Sequence, residues 1–207
     1  MKPLKRKVVY NMKLGKKTAL ICVDLQKNLT VEGGGNYYPT ATEMMPRVAQ
    51  RINEFRDLGV QIVYIWTQPH NSSGLASNGP KVNEELAGRH VPHYDWGREL
   101  DDRLTVTGED WIIRKFTYSA FWNTPLLEKL QQAGIENVLV CGIKTNVCCR
   151  QTAIDSVSHY YKTYMVRDMT STNNEEIKAF HLDEINRYFA KVIDSDEVLE
   201  RLKDGRF

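Results

Sequence analysis

Six short runs of β-branched and other apolar residues, most of them separated by stretches of helical periodicity, constrain this chain more than any other feature. They lie at Thr18–Val23, Val60–Trp66, Asp110–Arg114, Asn137–Cys141, Thr163–Val166 and Lys191–Ile193. Runs that are apolar almost without alternation belong to strands buried on both faces, which is the signature of a parallel sheet sandwiched between helices. Between them the spacing predicts helices over Glu43–Leu58, stopped by Gly59, and from Thr124 and Pro125 to Gly134. Further helices are predicted over Val147–Tyr160, Asn174–Phe189 and Asp196–Leu202. The expectation is an α/β protein with three layers, α/β/α, forming a single domain over residues 1–207. The stretch 68–107 has little periodicity. Connections of that length are commonly functional, so it reads as an ordered insertion near a site.

Size and charge exclude several classes. A chain of 207 residues buries about 70% of its unfolded surface and needs no staple. With 42% hydrophobic and 26% charged residues it is neither disordered nor fibrous. No apolar run approaches the roughly 20 residues of a membrane span. A net charge of +2 does not call for nucleic acid, and the lysines and arginine within residues 1–16 read as a solvated basic arm. Ala19–Val23 is too short for a signal peptide core. Cys22, Cys141, Cys148 and Cys149 have neither disulfide-framework nor zinc spacing, so free thiols and a cytoplasmic location are expected.

Ligands of open parallel sheets bind at the carboxyl ends of the strands. The first run delivers Asp24 there, the third Lys115, and the fourth leads through Gly142 to Asn146 into a helix whose first turn holds Cys148. A carboxylate, an ammonium and a thiol thus converge from three strand ends. Helical spacing separates the adjacent thiols. Cys149 shares a face with Ala153 and Val157, a core face, whereas Cys148 shares one with Gln151, Thr152 and Asp155. A thiol at a helix N-terminus is expected to favour thiolate.

Three segments carry a resemblance. Val23-Asp24-Leu25-Gln26, Lys115-Phe116-Thr117-Tyr118-Ser119-Ala120-Phe121 and Gly142-Ile143-Lys144-Thr145-Asn146-Val147-Cys148-Cys149 resemble, in order, the first-strand, lysine and nucleophile motifs of the isochorismatase-like cysteine hydrolases. The resemblance implies a Rossmann-like sheet of six mostly parallel strands, a triad of Asp24, Lys115 and Cys148, and a homo-oligomer, dimer or tetramer. It also implies a cis peptide between Ile143 and Lys144, with the backbone N–H groups of Lys144 and Cys148 as an oxyanion hole. A lysine side chain at 144 departs from the pattern. It either reaches a substrate carboxylate or points to solvent.

The thiol at 148 favours hydrolysis of a C–N bond over the vinyl-ether cleavage of true isochorismatases. Gln26 is followed by Lys27-Asn28-Leu29, and no D-x-H is present, which disfavours a metal-dependent nicotinamidase. Thr30 to Gly35 and Tyr118 to Leu126 resemble the ureide branch. The expected substrate is therefore a small amide, carbamoyl or ureide compound, with no cofactor and no metal. Gln26, Trp66, Gln68, Tyr118 and Trp122 are candidates to line its pocket, a core role being the alternative for the aromatics. His90 and His93, with Asp95, form an H-x-x-H-x-D that reads as a solvated loop, and His181 reads as a partly buried structural histidine. The competing functions are a vinyl-ether or ester hydrolase on the same scaffold and a non-catalytic small-molecule binder.

Overall fold

The computed structural model describes residues 15, 17–67 and 94–207. The strands are β1 (Thr18–Val23), β2 (Gln61–Thr67), β3 (Trp111–Lys115), β4 (Asn137–Ile143), β5 (Lys162–Ser171) and β6 (Lys191–Ile193). They form one sheet in the order β3-β2-β1-β4-β5-β6, and all five pairings are parallel. The helices are α1 (Lys27–Thr30), α2 (Pro39–Asp57), α3 (Tyr94–Arg98), α4 (Leu126–Gln132), α5 (Arg150–Ser158), α6 (Glu175–Tyr188) and α7 (Ser195–Lys203). A π-helical turn over Thr145–Cys149 leads into α5.

Strand alternation sorts the core into two layers. Leu20, Cys22, Ile62, Tyr64, Leu139 and Cys141 face α2 and α7, where they meet Val48, Ile52, Phe55, Val198 and Leu202. Ala19, Ile21, Val63, Ile65, Val138 and Val140 face the other way, onto Leu126 and Leu130 of α4, Ala153 of α5, and Leu182 and Ile185 of α6. Every residue of β1 and β4 is buried, as expected of central strands covered on both sides.

Three departures from the sequence expectation have physical causes. Helix α2 starts at Pro39, four residues before Glu43, because proline suits the first helical position. It then runs through Pro46 without breaking. Pro46 removes the N–H that would bond Thr42 O, and Arg103 Nη1 donates to that carbonyl instead, at 3.2 Å. Strand β5 continues five residues past Val166. Its polar Asp168 finds partners in Ser195 N and Oγ at 2.8 and 2.6 Å, so polarity does not end the strand. The helical segment that carries Cys148 begins at Thr145 with a π turn in place of an ordinary helical start at Val147. The Gly33–Gly35 run forms a turn, in which Gly33 has φ +90° and Gly34 N donates to Val31 O at 3.0 Å.

Gly142 fixes how closely β1 and β4 approach at their carboxyl ends. It pairs with Val23, has φ +114°, and a Cβ placed on it would lie 2.0 Å from Val23 O. No side chain fits there. That contact sets the level at which the chain leaves β1 for Asp24 and β4 for Lys144.

Candidate active site

Asp24 follows β1 directly and adopts φ +54°, a conformation in which a short polar side chain is tolerated. Its N–H donates to Ile65 O at 2.9 Å, tying it to β2. Its carboxylate is almost fully buried and has two strong partners. Thr67 Oγ1 donates to Oδ1 at 2.7 Å, and Lys115 Nζ donates to Oδ2 at 2.9 Å. Thr67 and Lys115 pair across β2 and β3, so the register itself aims both at the same carboxylate. Lys115 is fully buried and also donates to Thr117 O at 3.1 Å.

Cys148 completes the group. Its sulfur lies close enough to both the Asp24 carboxylate and the Lys115 ammonium for each to shift its titration. The residue is half-buried and is a free thiol. Burial and the adjacent Asp24 charge push its pKa up to about 12, and the pull of Lys115 in the other direction does not cancel them. The expectation of a thiolate set by the helix N-terminus is therefore reversed. Loss of water around the sulfur is the larger cause, and the Asp24 charge adds to it. Lys115 is raised above its ordinary value: although burial alone would lower it, the neighbouring Asp24 charge, with Cys148 adding to it, holds the proton. The resting arrangement is an Asp24–Lys115 ion pair beside a neutral thiol.

The peptide between Ile143 and Lys144 is cis. Lys144 O accepts from the N–H groups of Val147 and Cys149, each at 3.1 Å, the residues on either side of Cys148. Asn146 accepts from Thr172 Oγ1 at 2.8 Å, anchoring the π turn to the chain that leaves β5. The Lys144 side chain turns inward, its ammonium 5.4 Å from the centroid of the Tyr38 ring. Tyr38 is buried and donates to Ser171 O at 3.4 Å. Its phenol is pushed well above its ordinary range, by burial first and then by Cys149, Cys148 and Asp24, which places it beside the same cluster.

The other candidates separate. Gln26 is buried with its amide engaged on both sides: Nε2 donates to Thr67 O and Arg98 O at 3.2 Å each, and Oε1 accepts from Thr67 N at 2.8 Å. It therefore clamps Thr67 under Asp24 instead of facing a substrate. Trp66 pairs with Arg114 one position before Lys115. Strand alternation places it on the opposite face, with the Arg114 guanidinium 5.9 Å from its ring centroid. Tyr118 and Trp122 are about half exposed, on the loop after β3. Gln68, His90 and His93 lie outside the described residues. His181 pairs with Glu184 at 3.0 Å on α6, and Arg150 also engages Glu184. Cys22, Cys141 and Cys149 are buried in the core.

Sequence reasoning missed Thr67 and Tyr38. Thr67 ends β2, so the strand-end criterion applied to that strand identifies it. Tyr38 precedes the Pro39 that opens α2, and only a correct start for that helix brings it to the rim.

The Isochorismatase domain family matches residues 18–197. Nicotinamidase 3 of Arabidopsis thaliana is 37% identical over 97 residues, 47% of this chain and 49% of the plant protein, so the chain spans about half the length of that relative. Ureidoacrylate amidohydrolase of Acinetobacter baylyi is 31% identical over 156 residues, 67% of this chain and 64% of the relative. A solved cysteine hydrolase from Pseudomonas syringae pv. phaseolicola 1448A shares the fold, with TM-score 0.79 at 24% identity over 92% of this chain and 94% of that one. A family match that runs from the first residue of β1 into α7, and takes in Asp24, Lys115 and Cys148, decides the matter: the chain belongs to the isochorismatase domain family.

Proposed function

We propose that the protein is a cysteine hydrolase that cleaves the C–N bond of a small amide, carbamoyl or ureide substrate. The observation that carries this reading is the meeting of the Cys148 thiol with both members of the buried Asp24–Lys115 ion pair. A thiol held neutral beside a carboxylate is suited to attack only when the carboxylate takes its proton. In that step the Cys148 S–H proton passes to Asp24, and the sulfur bonds to the substrate carbonyl carbon. Lys115 stays charged throughout, balancing the negative charge whether it sits on carboxylate or sulfur. The carbonyl oxygen becomes an oxyanion, stabilised by the N–H groups of Lys144 and Cys148, each worth about 3 kcal/mol by analogy with measured oxyanion donors. Asp24 then gives its proton to the leaving nitrogen, and the C–N bond breaks. Water attacks the resulting thioester or thiocarbamate while Asp24 accepts one of its protons. Collapse expels the sulfur, which takes that proton back. Gln26 and Thr67 act one layer out, holding the Asp24 carboxylate in place.

The Arabidopsis and Acinetobacter relatives, whose names describe amide hydrolysis, support the C–N assignment. The test is an ammonia-release screen across nicotinamide, biuret, ureidoacrylate, carbamoyl amino acids and aliphatic amides, with isochorismate as the non-amide control. On whichever amide is turned over, Cys148→Ala is expected to lower kcat/KM by more than about 1,000-fold, with Tm within a few degrees of wild type. Normal turnover by Cys148→Ala removes the covalent mechanism, and turnover of isochorismate alone moves the reading to vinyl-ether cleavage.

A further inference from the structure

Lys144 is the cation of this site that the hydrolytic scheme does not use as a charge. Lys27, Arg51, Arg56, Arg103, Lys115 and Arg150, likewise withdrawn from water, each meet a carboxylate. Lys144 meets none among the described residues. Its surroundings are the Tyr38 ring at 5.4 Å and, among charged or titratable groups, the Cys148 sulfur. Burial lowers its pKa, the mark of an ammonium that has lost hydration without gaining a counter-ion. The nearby titratable groups among the described residues do not supply one. Tyr38 stays a neutral phenol, Cys148 a neutral thiol, and Asp24 is already paired with Lys115. The ion pair cancels, and among the described residues the cluster is left with one positive charge beside the Cys148 thiol.

We propose that the Lys144 ammonium, held against the Tyr38 ring, is the specificity-determining contact of the site and that the substrate carries a carboxylate a few bonds from its scissile carbonyl. The substrate class is thus a short monoamide or carbamoyl derivative of an acid. This rests on the amidohydrolase reading for the reaction, while the anion contact itself rests on the position of Lys144. A carboxylate brought to this point replaces the hydration the ammonium has given up. The aromatic face holds the cation without competing for the anion, because a ring accepts a cation but offers no hydrogen bond to neutralise it. A substrate ending in a neutral amide leaves the ammonium as it was.

The experiment measures kcat/KM for succinamate against succinamide, and for N-carbamoyl-β-alanine against its neutral amide, in wild type, Lys144→Met and Lys144→Arg. In a separate arm, succinate is tested for protection of Cys148 against iodoacetamide in the same proteins. The wild type is expected to prefer each acid, and Lys144→Met to lower the acid-to-amide ratio by about 10- to 100-fold, the range of one charge-assisted hydrogen bond. Lys144→Arg restores most of that ratio. Succinate slows alkylation in wild type and not in Lys144→Met. The ratio is read, and not the absolute rate, because residue 144 also contributes a backbone donor. A wild-type ratio near one, or a ratio unchanged in Lys144→Met, overturns the inference while leaving amide hydrolysis intact. Where none of the four compounds is turned over, Lys144-dependent protection by succinate upholds the anion contact, and its absence overturns it.

Discussion

At the scale of single residues, the proposed chemistry rests on one thiol being neutral and another group being ready to take its proton. Cys148 is pushed up to about 12 by burial and by Asp24, so its thiolate fraction grows tenfold per pH unit across the accessible range. Alkylation of the native protein by iodoacetamide is accordingly expected to accelerate with unit slope in log rate from pH 6 to pH 10, followed by mass spectrometry. A plateau below pH 8 denotes a stored thiolate and contradicts the arrangement described. The convergence of Asp24, Lys115 and Cys148 was legible in the sequence because each follows or ends an apolar run, and a strand end is a local signal. The direction of the thiol's shift was not. It depends on which charge approaches the sulfur most closely after three distant segments meet, and that proximity has no signature in the neighbouring residues. Gln26 shows the same limit: its position at the rim is readable, but its use as a clamp on Thr67 depends on where Thr67 and Arg98 place their carbonyls.

At the scale of elements, the sequence conveyed the strands and most helices, and failed where a polar residue is satisfied by a remote partner. Arg167 and Asp168 read as the end of β5, yet the strand runs on to Ser171 because Asp168 receives Ser195 N and Oγ at the start of α7, and Arg47 Nη1 at 3.0 Å. Pro46, which the helical reading of 43–58 already spans, is tolerated inside α2 because Arg103 satisfies the carbonyl it orphans. The Asp168 contact has a measurable consequence. Burial alone would raise its pKa, but the Ser195 and Arg47 hydrogen bonds hold it below the ordinary carboxylate value. The stabilisation is therefore present above pH 4 or so, where an unfolded aspartate is ionised, and is lost as pH falls through the lower folded value. Asp168→Ala is expected to cost about 2 kcal/mol at pH 7. The gap from wild type narrows below about pH 4, as measured by urea unfolding at both pH values. A gap of equal size at pH 7 and pH 3 shows that packing, and not the carboxylate, joins β5 to α7.

At the scale of the whole molecule, the proposed function follows from where the strand order reverses. The chain leaves β1 toward β2 and β3 on one side and later fills β4, β5 and β6 on the other, so the connections that follow β1 and β4 depart to opposite faces of the sheet and leave a crevice just beyond the paired strand ends. Asp24 and Cys148 come from the two walls of that crevice, and Lys115 reaches in from the edge strand β3. The arrangement requires both core layers to be complete, since β1 and β4 are buried along their entire length. The four cysteines report on this directly. Cys22 and Cys141 lie side by side in β1 and β4, Cys149 ends the π turn, and all three are inside the core, whereas Cys148 alone is partly open to solvent. A buried thiol reacts only from an opened state, whose population for a typical domain stable by about 5–15 kcal/mol is below roughly one in a thousand. Native protein held with iodoacetamide at pH 9 is expected to gain a single adduct, on Cys148, and to gain the other three together only as denaturant passes the unfolding midpoint. Staged labelling, with Cys149 modified well before Cys22 and Cys141, means that the π turn and α5 open as a unit of their own. The proposed nucleophile then sits on a locally mobile element instead of on the rigid centre of the sheet.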